Sequence, residues 1–135
     1  MTAAEIVLDA SVAVRGLVGD PGMASEVADA VAGGVIAASA PELIVPEVTN
    51  ALRMRVDPDR WPLGEAQRAL DAFLSWPVTI LPCAPLATGA LAIATERSIS
   101  AYDAFYAVIS EALEAPLYTA DRRLAAVVSG SVLVQ

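Results

Sequence analysis

Histidine and lysine are absent from the 135 residues, and cysteine occurs once, as Cys83. Without histidine there is no imidazole acid–base pair, no Ser-His-Asp triad and no His-ligated zinc. Without lysine there is no P-loop. A single cysteine excludes an intrachain disulfide framework and fits a reducing, cytoplasmic setting. Cys83 itself reads as a small buried apolar residue. The N-terminus has no positive segment ahead of its apolar run, so no signal peptide is read. Positive charge is scarce as well: eight arginines face sixteen Asp and Glu, for a net charge of −8. Bulk electrostatics therefore oppose non-specific nucleic-acid binding. The side chains left for catalysis are mostly carboxylates.

What is abundant is apolar. Hydrophobic residues make up 56% of the chain, enough for one domain spanning 1–135 with a single core. Residues 72–95 carry no charge, but Pro77, Pro82, Pro85 and Gly89 interrupt them. That stretch reads as a buried strand, a turn and a buried helix rather than a membrane span. Strands are expected at 5–9, 35–39, 78–81, 117–119 and 132–134. Helices are expected at 10–18, 23–33, 42–55, 63–75, 86–97, 101–114 and 122–128. Gly33 and Gly34 terminate the second helix, and Pro46 must fall in the first turn of the third. Apolar strands alternating with helices imply a parallel sheet between two helix layers, a three-layer α/β/α sandwich.

In such a sheet, sites collect at the carboxyl ends of strands. Asp9 closes the first strand, after Ile6, Val7 and Leu8. Asp121 follows Leu117-Tyr-Thr119 and opens a helix. Asp103 lies in the first turn of another, and Glu47 lies early in the third helix with Asn50 one turn later. Each acid has an ordinary reading. Asp9 and Asp121 could cap helices, Asp103 could complete a capping box with Ser100, and Glu47 could be solvated. Read together, they would place four negative charges in one pocket, raising each other's proton affinity. A hard divalent cation such as Mg²⁺ or Mn²⁺ would compensate them.

These segments resemble the PIN-domain ribonucleases, most closely VapC-type toxins of toxin–antitoxin pairs. The resemblance runs through Ile6-Val-Leu-Asp-Ala-Ser-Val12, Pro41-Glu-Leu-Ile-Val-Pro-Glu-Val-Thr-Asn-Ala-Leu52, Ser98-Ile-Ser-Ala-Tyr-Asp-Ala-Phe-Tyr106 and Leu117-Tyr-Thr-Ala-Asp-Arg-Arg-Leu124. One piece alone would be weak; four in order, across nearly the whole chain, are specific. The resemblance implies a metal-dependent endoribonuclease with Asp9, Glu47, Asp103 and Asp121 as its acidic tetrad. Asp9 and Asp103 are the first choices as ligands to one or two Mg²⁺ or Mn²⁺ ions. Ser11, Asn50 and Thr119 would orient the carboxylates. It also implies cleavage to 5′-phosphate and 3′-hydroxyl ends. Arg15, Arg53, Arg55, Arg122 and Arg123 flank the acidic segments and are candidates for holding RNA phosphates.

The implied partners are RNA, a small cognate antitoxin and a second copy of the chain. Trp61, Leu63, Phe73 and Trp76 are expected mainly in the core, with an antitoxin groove or dimer interface as the alternative. Two other readings compete. Receiver domains and haloacid-dehalogenase-like phosphatases also set Asp at strand ends around Mg²⁺. They usually rely on a lysine, and the latter want a second Asp where Ser11 stands. A catalytically weak PIN-like binding module is the non-enzymatic rival, and a lack of stabilisation by Mg²⁺ or Mn²⁺ would favour it.

Overall fold

Ile6, Val7 and Leu8 are almost wholly excluded from water, and the rest of the fold is arranged around them. The computed structural model describes residues 4–135. Five parallel strands, β1 (Ala4–Leu8), β2 (Ile36–Pro41), β3 (Val78–Leu81), β4 (Leu117–Thr119) and β5 (Val132–Leu133), form one sheet in the order β3-β2-β1-β4-β5. Seven helices connect them: α1 (Ala10–Leu17), α2 (Met23–Ala32), α3 (Ile44–Arg55), α4 (Leu63–Leu74), α5 (Ala87–Arg97), α6 (Ala101–Leu113) and α7 (Arg122–Val127). The expected α/β/α sandwich with a short central parallel sheet is present.

The chain runs outward from β1 through β2 to β3, then returns past β1 to β4 and β5. Right-handed crossovers therefore put α1 to α4 on one face and α5 to α7 on the other. The reversal opens a crevice between β1 and β4, at the carboxyl ends of both. There the Asp9 amide donates to the Tyr118 carbonyl at 3.0 Å. The central strands are covered on both sides, and full burial of each Val or Leu side chain contributes roughly 1.5–3 kcal/mol.

Element ends follow local chemistry. Gly34 takes φ of +74° past α2, and the Val35 amide reaches back to the Ala30 carbonyl at 2.8 Å. That left-handed stop is easiest for glycine. Pro46 sits in the first turn of α3, where its missing N–H costs no helix bond. β2 runs to Pro41, two residues further than expected, and the turn Glu42–Leu43 delays α3 to Ile44.

Several burial expectations are corrected. β3 is an edge strand with Ile80 41% exposed, so it is not buried on both faces. Within α5 only Ala90 is buried, and Leu91 lies open, so the uncharged stretch is not a buried helix either. A short 3₁₀ turn, Ala84–Leu86, precedes it, and Cys83 next to that turn is half-buried. Phe73 is core and meets Trp76 edge to face at 5.4 Å. Trp61 and Trp76 are half-buried, while Leu63 is exposed because it begins α4 at the rim of the α3–α4 groove. Among the described residues no helix is long and apolar enough to cross a membrane.

α1 carries Asp9 at its start, so its seating matters. It packs on α2 through Gly16, where an added Cβ would lie 2.4 Å from Ala28 Cβ and 3.2 Å from the Ala24 carbonyl oxygen. Gly16→Ala should gain about 1 kcal/mol of helix propensity and lose more to overpacking, for a net loss of ~1–2 kcal/mol. Urea unfolding with an unchanged slope checks this. A midpoint equal to or above the parent's would contradict the packing.

Candidate active site

Asp9 is 7% exposed and occupies the N-cap position of α1, yet its carboxylate makes no capping bond. Instead Oδ2 accepts two hydroxyls, Ser11 Oγ at 2.6 Å and Thr119 Oγ1 at 2.7 Å. Each hydroxyl in turn accepts a backbone amide from the turn after β4: Ala120 N–H to Ser11 Oγ at 2.9 Å and Asp121 N–H to Thr119 Oγ1 at 3.0 Å. A hydroxyl has one hydrogen, and here both are directed at Asp9. Two relays thus stitch the end of β1 to the end of β4 across the crevice. Even so, burial raises the proton affinity of Asp9; the two hydroxyls and the Ala10 amide oppose this, and the charge of Asp121 adds to it.

Glu47 comes from the first turn of α3 and is half-buried. Its Oε1 accepts the phenolic O–H of Tyr106 at 2.6 Å. Its pKa is pushed up to about 7, first by desolvation and then by the charges of Asp9 and Asp103, against the Tyr106 bond. Asp103 stands in the first turn of α6. There Ser100 caps the helix by accepting the Asp103 amide at 3.1 Å, which is one half of a capping box. Its pKa is raised by desolvation, then by Asp9 and Asp121, and is lowered by the Ser100 bond and Arg123. Asp121 is exposed and caps α7, with Oδ1 accepting the amides of Arg123 at 2.9 Å and Leu124 at 3.2 Å. For this acid the ordinary capping reading holds, but only one oxygen is used.

Asp9 is thus within electrostatic reach of Glu47, Asp103 and Asp121, and Asp103 of Glu47 and Asp121. Among the described residues no three of these side chains stand close enough together to hold a metal ion as they are. The donor set is nevertheless all oxygen, which suits a hard cation such as Mg²⁺ or Mn²⁺. Glu47 and Asp121 each take their bonds on one oxygen and leave the second for another ligand.

The remaining candidates divide. Ser11 and Thr119 contact Asp9 directly. Asn50 is exposed and lines a hollow with Glu47 and Asp103, but among the described residues it bonds to no carboxylate. Arg123 shares a second hollow with Asp103 and Asp121. Arg122 reaches the Gln135 side-chain oxygen at 3.4 Å. Arg15, Arg53 and Arg55 lie in the last turns of α1 and α3, about 9–12 Å of helix from Asp9 and Glu47. The arginines do not form one patch. Tyr106 was not a candidate from sequence. The available signal was spacing: it lies three residues past Asp103 on one face of α6, and a buried phenol needs a partner.

A parallel α/β sandwich with a carboxylate-lined crevice at its strand-order reversal is the class that fold and site define. The chain belongs to the PIN domain family, whose family model matches residues 6–129 and so takes in all four acids. Over 122 residues it is 35% identical to VapC ribonuclease Mb0985 of Mycobacterium bovis, covering 88% of this chain and 87% of that protein. It superposes on PAE2754 from Pyrobaculum aerophilum with a TM-score of 0.74 at 25% identity, covering 97% and 90% of the two chains. VapBC2 from Rickettsia felis, solved bound to a DNA fragment from its promoter, shares the fold with a TM-score of 0.67 at 17% identity, covering 96% of each chain.

The raised pKa values make stability depend on pH. For Glu47 the folded value, about 7, lies above the ordinary 4.5, so the folded state holds a proton that the unfolded chain has released. That contribution is complete below the unfolded value and is lost as pH rises through the folded one. Asp9 and Asp103 shift in the same direction. In chelator, the melting temperature should therefore fall between pH ~5.5 and pH ~8, and Glu47→Gln should flatten the fall. Thermal scans of both proteins test this; a melting temperature that rises with pH would refute the raised carboxylates.

Proposed function

We propose that the protein is an Mg²⁺- or Mn²⁺-dependent endoribonuclease, the toxin of a toxin–antitoxin pair. The observation supporting this reading is that Asp9, at the sheet's switch point, interacts electrostatically with Glu47, Asp103 and Asp121, three of the four acids being pushed toward protonation by burial and by their neighbours. A pocket that resists its own charge is suited to a cation and, through it, to a phosphodiester. The similarity to a VapC ribonuclease supports RNA as substrate.

In this reading Asp9 and Asp103 are the principal ligands, and Glu47 and Asp121 complete the acidic set. The bound ion would ease deprotonation of an attacking water and stabilise charge on the phosphoryl oxygens. The chain's own residues supply rigidity. Ser11 and Thr119 hold Asp9 from both sides, and Tyr106 fixes one oxygen of Glu47. Arg123, beside Asp103 and Asp121, is placed to meet a phosphate oxygen.

The proposed partners follow. A small antitoxin would use apolar surface such as the groove between α3 and α4, lined by Leu52, Val56, Leu63 and Leu70. A second copy would cover the exposed side chains Leu74, Ile80 and Leu91. The proposed location is the cytoplasm.

Purified protein free of antitoxin should cut RNA with Mg²⁺ or Mn²⁺ and stop in chelator. Asp9→Asn and Asp103→Asn should each slow cleavage roughly a hundredfold or more, the scale of losing one group that stabilises developing charge. Unchanged rates in both variants would sink the assignment. An intact protein that neither cuts RNA nor is stabilised by either ion would favour a binding module.

A further inference from the structure

Tyr102 directly precedes Asp103 and is 68% exposed. A single exposed tyrosine is ordinary; its place is what distinguishes this one. With Leu43, Pro46 and Asn50 it lines a hollow of about 420 Å³, whose floor carries Glu47 and Asp103. That volume lies in the range of small-ligand sites. The two hollows beside Asp103 differ in charge. Each has two carboxylates in its lining; the one holding Tyr102 has no cation, while the one on the other side also contains Arg123. A phosphate therefore finds a cationic partner only on the second side. A neutral, flat, aromatic group is suited to the first.

We propose that the hollow between α3 and the start of α6 is a nucleobase site, with the Tyr102 ring as its stacking platform. Leu43 and Pro46 supply the facing apolar wall. Asn50 stands three residues after Glu47 on the same face of α3, and its side-chain amide has no hydrogen-bond partner among the described residues. An amide offers one acceptor and two donors, the set that reads a base edge. Stacking also answers the charge balance. A chain of net charge −8 gains little from counterion release, whereas stacking on an aromatic ring does not depend on net charge. The site therefore favours unpaired RNA, because a base within a duplex is not free to stack on protein. This inference rests on the ribonuclease reading and adds how the substrate is held.

The test is fluorescence anisotropy with labelled single-stranded RNA octamers (A, C or U) and an octamer of equal charge built on abasic ribose. Ca²⁺ replaces Mg²⁺ as an ion of the same ligand preference. Tyr102→Ala should weaken binding of base-bearing RNA about tenfold, while Tyr102→Phe, which keeps the ring, stays within about twofold of the parent. Abasic RNA should bind weakly and equally to parent and Tyr102→Ala. Asn50→Ala should narrow the differences among the three base-bearing octamers. Equal loss on both kinds of RNA, a Tyr102→Phe loss as deep as that of Tyr102→Ala, or no loss at all would overturn the base site alone. A parent protein that binds neither kind would overturn the ribonuclease reading with it.

Discussion

Desolvation of carboxylates that also repel one another is the constraint on which this architecture turns. Asp9 stands at the most protected point, where desolvation is the largest influence on its charge. Removing an ionised carboxylate from water is costly unless hydrogen bonds or a counter-charge replace the lost hydration. Two hydroxyls and a backbone amide supply part of the replacement. The neighbouring acids work against it, since Asp121 raises Asp9, and Asp9 in turn raises both Glu47 and Asp103. The folded chain therefore holds a site whose charge is incompletely compensated by its own atoms. That deficit is the physical basis of the proposed cation site.

Strand order explains why the deficit falls here. β1 is central, and the chain leaves it in one direction and later returns on its other side. The ends of β1 and β4 are thus adjacent while the helices that follow them diverge. Ser11 and Thr119 close the gap by accepting amides from one loop and donating to the carboxylate of the other. The same four bonds that orient Asp9 also fix the turn from which Asp121 starts α7. Loss of the Thr119 hydroxyl would leave both Asp9 and the Asp121 amide short of a partner, so site geometry and local fold are not separable at that residue.

Much of the framework was legible because it rests on short-range rules. Apolar runs bounded by Gly and Pro located the strands, and α6 ends within a residue of its expected limit. What the pattern could not reveal was depth. β3 and most of α5 are apolar, as β1 is, yet β3 is an edge strand and α5 an outer helix. Apolar composition alone does not distinguish core from uncovered surface. The same limit applied at the site. Capping and clustering assign the same residue types, and only the fold separates Asp9, which caps nothing, from Asp121, which caps α7 with one oxygen. The Tyr106–Glu47 bond joins residues 59 apart in sequence, beyond the reach of any local rule.

Net charge describes the whole molecule, and a substrate responds to the nearest few ångströms. At ordinary ionic strength, charges more than a Debye length of about 8–10 Å away are largely screened. Arg53 and Arg55, at the far end of α3, contribute less to the crevice than their number suggests. Arg123 is different because it lines a hollow with Asp103 and Asp121, and its charge opposes the upward shift of Asp103. The local balance is therefore four acids against one nearby arginine. On the proposed reading a polyanion would need those acids compensated first, and would then meet a cationic side chain on the side where Arg123 stands. Under the proposed function, cation loading would therefore precede substrate binding, as a consequence of where these charges lie.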